Sequence, residues 1–183
     1  NFTGRAAHAG LDPEKGASAI NELARQILRL NSLSDAARGI QVNVGVVQGG
    51  TRSNVVAAES SAEIDVRFST QADGLAIEAE LLNTKATDPN VSVQVSGGIN
   101  RPPLERTKAV VELFERARLV AASLDFELGE TQVGGASDGN FLAALGIPVL
   151  DGLGIDGDGA HAVHEHIVVE KIPFRGALIA ALI

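Results

Sequence analysis

No cysteine occurs in these 183 residues, so disulfides and thiolate metal sites are excluded, and any metal held here must rely on imidazole and carboxylate groups. The lack of cysteine leaves the compartment undecided. There is no apolar run approaching the roughly 20 residues that a membrane-spanning helix requires. Basic residues are the minority, 15 Lys and Arg against 23 Asp and Glu, for a formal net charge of −8. General nucleic-acid binding needs a basic surface that displaces counterions from phosphates, so that class is set aside. A small acidic substrate would need a local basic pocket. The chain opens Asn1-Phe2-Thr3 with neither an initiator methionine nor a signal-peptide pattern, which suggests a processed, trimmed or partial chain.

What is present is a composition 45% hydrophobic and 21% charged, in the ordinary globular range, at a length that fits one domain or a small domain plus part of another. Phe2 to Ala7 reads as a short strand, and Asp12-Pro13 as the start of a helix with an apolar stripe at Ile20, Leu23, Ile27 and Leu30. Ile40, Val42, Val44 and Val46 alternate with polar residues or glycine, as do Ala62, Ile64, Val66 and Phe68, predicting two half-buried strands. A helix through Leu75, Ile77, Leu81 and Leu82 and a strand at Val91, Val93 and Val95 complete the order β-α-β-β-α-β, the ferredoxin-like sandwich. The expected first domain is residues 1–101.

Pro102-Pro103 disfavours helix before it, and Thr107 caps a predicted helix with Val110, Leu113, Phe114, Ala117 and Leu124 on one face. Strands near Thr131 to Val133 and Ile147 to Leu150, a short helix from Asp138 and a last helix follow. Residues 102–183 thus alternate α and β, yet are short for an independent sheet, so they are expected to complete an α/β domain begun elsewhere.

Four segments could carry chemistry. Residues Gly157 to His166 hold three histidines and acidic neighbours after a glycine-rich loop, and neutral imidazole is the commonest protein ligand for zinc. Gly4 to Gly10 sets His8 between glycines at the end of the first strand. Gly49 to Asn54 is followed by Arg67 on the polar face of a strand, where a guanidinium can grip a carboxylate with two bonds. Gly134-Gly135-Ala136-Ser137-Asp138 precedes a helix start. Taken singly, each has a plainer explanation: a surface loop, a turn histidine, a solvated strand face, an Asp or Ser helix cap.

In order along the chain, GRAAHAG (Gly4 to Gly10), GGTRSNVV (Gly49 to Val56), AEIDVRF (Ala62 to Phe68), GGASD (Gly134 to Asp138) and GAHAVHEH (Gly159 to His166) resemble the zinc-dependent aminoacylase and carboxypeptidase family. That family includes glutamate carboxypeptidase, succinyl-diaminopimelate desuccinylase and acetylornithine deacetylase. The resemblance covers nearly the whole chain and makes it the C-terminal half of such an enzyme: a dimerisation lid, then a catalytic-domain tail. It implies that His8 reaches across a homodimer to stabilise the oxyanion in the partner's site. By the same match, Asn54, Arg67 and Arg101 would bind substrate, Arg101 through a terminal carboxylate, with Gly134, Gly135 and Ser137 lining the pocket. His161 matches the terminal ligand of a two-zinc centre in which cobalt or manganese could substitute. His164, His166 and Glu165 fall at positions read as shell or surface groups.

The resemblance further implies cleavage of an amide bond to a small amino acid, by analogy with glutamate carboxypeptidase, with no nucleic-acid or membrane partner. The other expected metal ligands and the general base are absent from this stretch, so the chain alone is expected to be inactive. A non-catalytic dimerisation or small-ligand-binding module is the competing expectation, because the fold alone cannot choose between them.

Overall fold

Alternating side chains in β2 (Gln41–Gly49) and β3 (Glu59–Arg67) build the larger part of an antiparallel sheet whose strand order is β2-β3-β1-β4, with β1 at Phe2–Thr3 and β4 at Ser92–Val93. α1 (Ala19–Asn31) joins β1 to β2, and α2 (Gln71–Leu82) joins β3 to β4. This is the element order of the ferredoxin-like βαββαβ sandwich. The computed structural model describes all residues from Asn1 to Ile183 and divides them into two compact units, Asn1–Asn100 and Arg101–Ile183. No helix is long and apolar enough to cross a membrane.

In the first unit, one cluster gathers Phe2, Ala17, Ala19, Leu23 and Val91, and another gathers Leu30, Ile40 and Val42 with Ile77 and Leu81 against them. α1 does not begin at Asp12-Pro13. Pro13–Lys15 forms a single 3-10 turn, Asp12 pairs with Lys15 at 2.7 Å, and Ser18 Oγ accepts the Asn21 N–H to cap the helix proper. The intervening residues must stay extended because Arg5 and Ala17 exchange both backbone hydrogen bonds at 2.9 Å. Gly4 permits this approach: a Cβ there would lie 2.1 Å from the Ala17 carbonyl oxygen. The buried face runs through Ala19, Glu22, Leu23, Gln26 and Leu30, so Ile20 at its edge is 41% exposed while Glu22 is fully buried.

The Val46 expectation also changes. The ladder runs Val44 to Ile64 and then Val46 to Glu63, so Gly45 is an extra residue. Such a bulge reverses the alternation beyond it, which leaves Val46 43% exposed. β1 is shorter than Phe2 to Ala7 because Gly4 turns to donate to Ala58 O and Arg5 pairs with Ala17. With only Phe2 and Thr3 available for pairing, β4 shrinks from Val91–Val95 to two residues.

A buried carboxylate ties α1 to the α2–β4 connection. Glu22 accepts hydrogen bonds from Gln26 Nε2, the Thr87 and Asp88 backbone N–H groups and Arg25, at 2.8 to 3.1 Å. Burial alone would raise its pKa; the four donors outweigh burial and hold it at about 2 rather than the ordinary 4.5. Gln26 also donates to Lys85 O.

The second unit is helical. Thr107 caps α3 (Lys108–Ser123) by accepting the Val110 N–H, and α3 packs against α5 (Ile172–Leu182). Ala117 and Ala121, one turn apart, are fully buried, and their small side chains admit Leu178 of α5. α4 is the short helix Gly139–Ala144. The expected strands at 131–133 and 147–150 do not form. Extended segments become strands only when a neighbour takes their N–H and C=O groups, and Val133 and Ile147 stand 73% and 49% exposed. Pairing occurs instead between β5 (Gly157–Asp158) and β6 (His166–Ile167).

Candidate active site

His8 and Asn54 lie 46 positions apart, and the backbone brings them together. Ala9 N–H donates to Asn54 O at 3.0 Å, Val56 N–H donates to Ala7 O at 2.9 Å, and His8 bridges to Val55. Both side chains are exposed. The Gly10 N–H donates to His8 Nδ1 at 3.1 Å, which makes Nδ1 the acceptor. In the neutral ring the proton then sits on Nε2, leaving that nitrogen as a donor. A fixed N–H donor on an exposed loop can stabilise negative charge growing on a carbonyl oxygen.

Arg67 is not part of this pair. It sits at the opposite end of β3 from Glu59, roughly 26 Å along the strand at about 3.3 Å per residue, and Asp65 holds its Nε at 2.7 Å.

In the second unit, Arg101 and Ser137 come together through residues the sequence did not single out. Asn140 is 8% exposed; its Oδ1 accepts the Ser137 N–H at 2.9 Å while its Nδ2 donates to Pro102 O at 2.8 Å. Ser137 Oγ accepts the Gly139 N–H at 3.2 Å, whereas Asp138 makes no capping bond. The Arg101 guanidinium lies over the Phe141 ring, 5.0 Å from its centroid. Gly134 and Gly135 are exposed in the loop leading to this cluster. An asparagine shortly after the Gly-Gly-Ala-Ser segment, at the start of a helix, was the available signal for Asn140.

His161 lies in the loop between β5 and β6. Its φ of 65° is left-handed, a region that costs a non-glycine residue energy and that draws attention when it occurs in a loop rich in ligand-type side chains. Gly159, with φ 75°, leaves room that the His164 ring fills, and His166 Nδ1 is 3.0 Å from His164 O. The three imidazoles do not converge: no group of three or more His, Asp or Glu side chains is arranged to hold a metal ion. At the base of the loop, Asp156 bonds Lys171 at 2.9 Å and Arg175, fastening the hairpin to α5. Those hydrogen bonds, Lys171 first, hold the Asp156 carboxyl below its ordinary range. Asp156 was also missed by sequence reasoning, since its partners lie 15 and 19 positions away.

A shallow groove of about 300 Å³ is lined by Gly45, Val46, Glu63, Ile64 and Asp65. It contains none of these candidate residues, so the chemistry-bearing groups do not depend on it.

Comparison with known proteins accounts for both units. Residues 1–88 match the family model described as a peptidase dimerisation domain. Carboxypeptidase G2 from Pseudomonas sp. (strain RS-16) is 31% identical over 100% of the chain and 45% of its own length. A p-aminobenzoyl-glutamate hydrolase polypeptide of Escherichia coli (strain K12) is 41% identical over 37% of the chain and 16% of its own length. Among solved structures, aminopeptidase PepT from Bacillus cereus superposes over 100% of the chain and 49% of its own length, at 27% identity and a TM-score of 0.74. The chain therefore spans about half the length of the relatives that it matches in full.

Proposed function

Because residues 1–88 are an M20 peptidase dimerisation domain and the chain is homologous to M20 peptidases such as carboxypeptidase G2, we propose that it forms the lid and part of the catalytic unit of a metal-dependent hydrolase that cleaves an amide bond to a small amino acid. The observation that carries the proposal is the Gly10 N–H bond to His8 Nδ1, which leaves Nε2–H as a preset donor on the segment whose backbone pairs with that of Asn54. In this reading the Nε2–H bonds the scissile carbonyl oxygen as it gains negative charge, and Asn54 helps to orient that carbonyl. Lid pairing in a homodimer would present His8 to the partner's substrate. Arg101, Ser137 and the Gly134-Gly135 backbone would bind the carboxylate of the released amino acid. Glutamate is the favoured product, because the Escherichia coli relative is named for hydrolysis of an aminobenzoyl-glutamate.

M20 peptidases are in general metal dependent, and zinc is the metal proposed here, as a pair of ions with cobalt or manganese as substitutes. The residues present do not by themselves fit a metal centre, because a single imidazole at His161 lacks two or more companions. His161 is proposed as one ligand to a centre completed by residues outside this chain, and the chain alone is accordingly expected to be inactive. Arg67, which pairs with Asp65, is proposed as a further substrate-binding cation of the lid.

The test is a hydrolysis panel of acyl-glutamates, acetyl-ornithine and simple dipeptides on the full-length, zinc-loaded protein. Fastest turnover of acyl-glutamates, lost on chelation and restored by zinc or cobalt, is the expected result. No turnover of any of these amides would instead favour a dimerisation or small-ligand-binding module.

A further inference from the structure

Asn140 joins the two segments that carry Arg101 and Ser137. It is a buried amide whose two ends are both engaged, joining segments on either side of α3: the backbone of Pro102 and the backbone of Ser137. Only a primary amide can accept from one and donate to the other at the same place. An aspartate would lose the bond to Pro102 O, and an apolar residue would lose both. The next residue, Phe141, presents its ring to the Arg101 guanidinium. Two consecutive residues of α4 therefore hold both the backbone beside Arg101 and the head of Arg101 itself. The guanidinium has no carboxylate partner among the ion pairs of the chain, so its charge is left available.

We infer that Asn140 and Phe141 are positioning residues that lock Arg101 and the Ser137 loop into one carboxylate-binding unit, and so set the preference for a substrate that bears a free carboxylate. The inference rests on the proposed role of Arg101. Asn140 fixes the spacing between the arginine and the serine loop, and Phe141 limits the arginine's rotamers. Substrates without that carboxylate gain nothing from either.

The experiment compares an acyl-glutamate with its α-carboxamide counterpart on the full-length, zinc-loaded protein. Arg101→Ala should collapse the preference for the carboxylate. Asn140→Ala should lower kcat/KM for the carboxylate substrate about tenfold, chiefly through KM, as expected for a lost buried hydrogen bond, and leave the carboxamide unchanged. Phe141→Leu, at a half-exposed position where folding is not at stake, should lower it about threefold, and Phe141→Tyr should restore it. In the Arg101→Ala background Phe141→Leu should have no further effect, and Asn140→Ala should keep only the part that acts through the Ser137 loop. If Asn140→Ala and Phe141→Leu depress both substrates equally, or add in full to Arg101→Ala, the positioning role is overturned while Arg101 stands. If Arg101→Ala leaves the preference intact, the assignment of Arg101 falls and the inference falls with it.

Discussion

Asn1–Asn100 closes two apolar clusters between one four-stranded sheet and two helices, whereas Arg101–Ile183 has a single cluster between α3 and α5 and a pair of two-residue strands. Nine of the buried hydrophobic residues are in the first unit and four in the second, while the exposed large hydrophobics divide the other way, seven against fourteen. The second unit therefore buries a smaller share of its apolar side chains than the first. The difference teaches that the first unit draws more of its stability from its own contacts than the second does. The proposed roles divide the same way: a donor at His8 in the first unit, and a metal ligand and carboxylate-binding groups in the second.

Separating the two would break or sharpen that comparison most. Asn1–Asn100 expressed alone should melt in one cooperative transition by circular dichroism, and Arg101–Ile183 alone should melt broadly and bind a hydrophobic dye; equally sharp transitions would erase the distinction. Next in size, Leu23→Ala and Leu178→Ala both empty fully enclosed sites and should each cost about 3 kcal/mol in denaturant titrations of the chain, with the Leu178 variant losing the larger share of its unit's stability. Glu22→Ala should destabilise the first unit by about 2 kcal/mol by orphaning buried donors, visible as a shift in its transition alone.

The same carboxylate gives the first unit an acid signature. Its folded pKa is depressed to about 2 from 4.5, so its stabilisation is complete above the higher value and is lost as pH falls through the lower. Stability measured by urea titration should therefore drop between those two pH values, and Glu22→Gln should flatten that drop. Smallest of all, Thr107→Ala should cost about 1 kcal/mol, felt only in the second unit through the N-terminus of α3.

The sandwich was legible because its signals are local: the alternation in β2 and β3, and the periodicity of α1 and α2. What was not legible depended on distant partners. The start of α1 was set by the pairing of Arg5 with Ala17, and the facing of Val46 by a bulge that no periodicity announces. The segments at 131–133 and 147–150 have the composition of strands and lack a neighbour to pair with. At the site, the motifs marked His8 and Asn54 separately, yet only the backbone pairing of residues 7–9 with 54–56 brings their segments together. Asn140 and Asp156 each depend on partners distant in sequence, Pro102 at 38 positions and Lys171 and Arg175 at 15 and 19, and look like ordinary polar residues in the sequence.

The most direct test of the division between a donor on the lid and a ligand in the second unit is metal content measured beside turnover, in the full-length protein, for His8→Ala and His161→Ala. His8→Ala should lower kcat on an acyl-glutamate by about 10²-fold or more and retain its metal, whereas His161→Ala should lose metal and activity together. Full metal content in His161→Ala, or equal loss of metal in His8→Ala, would contradict the account.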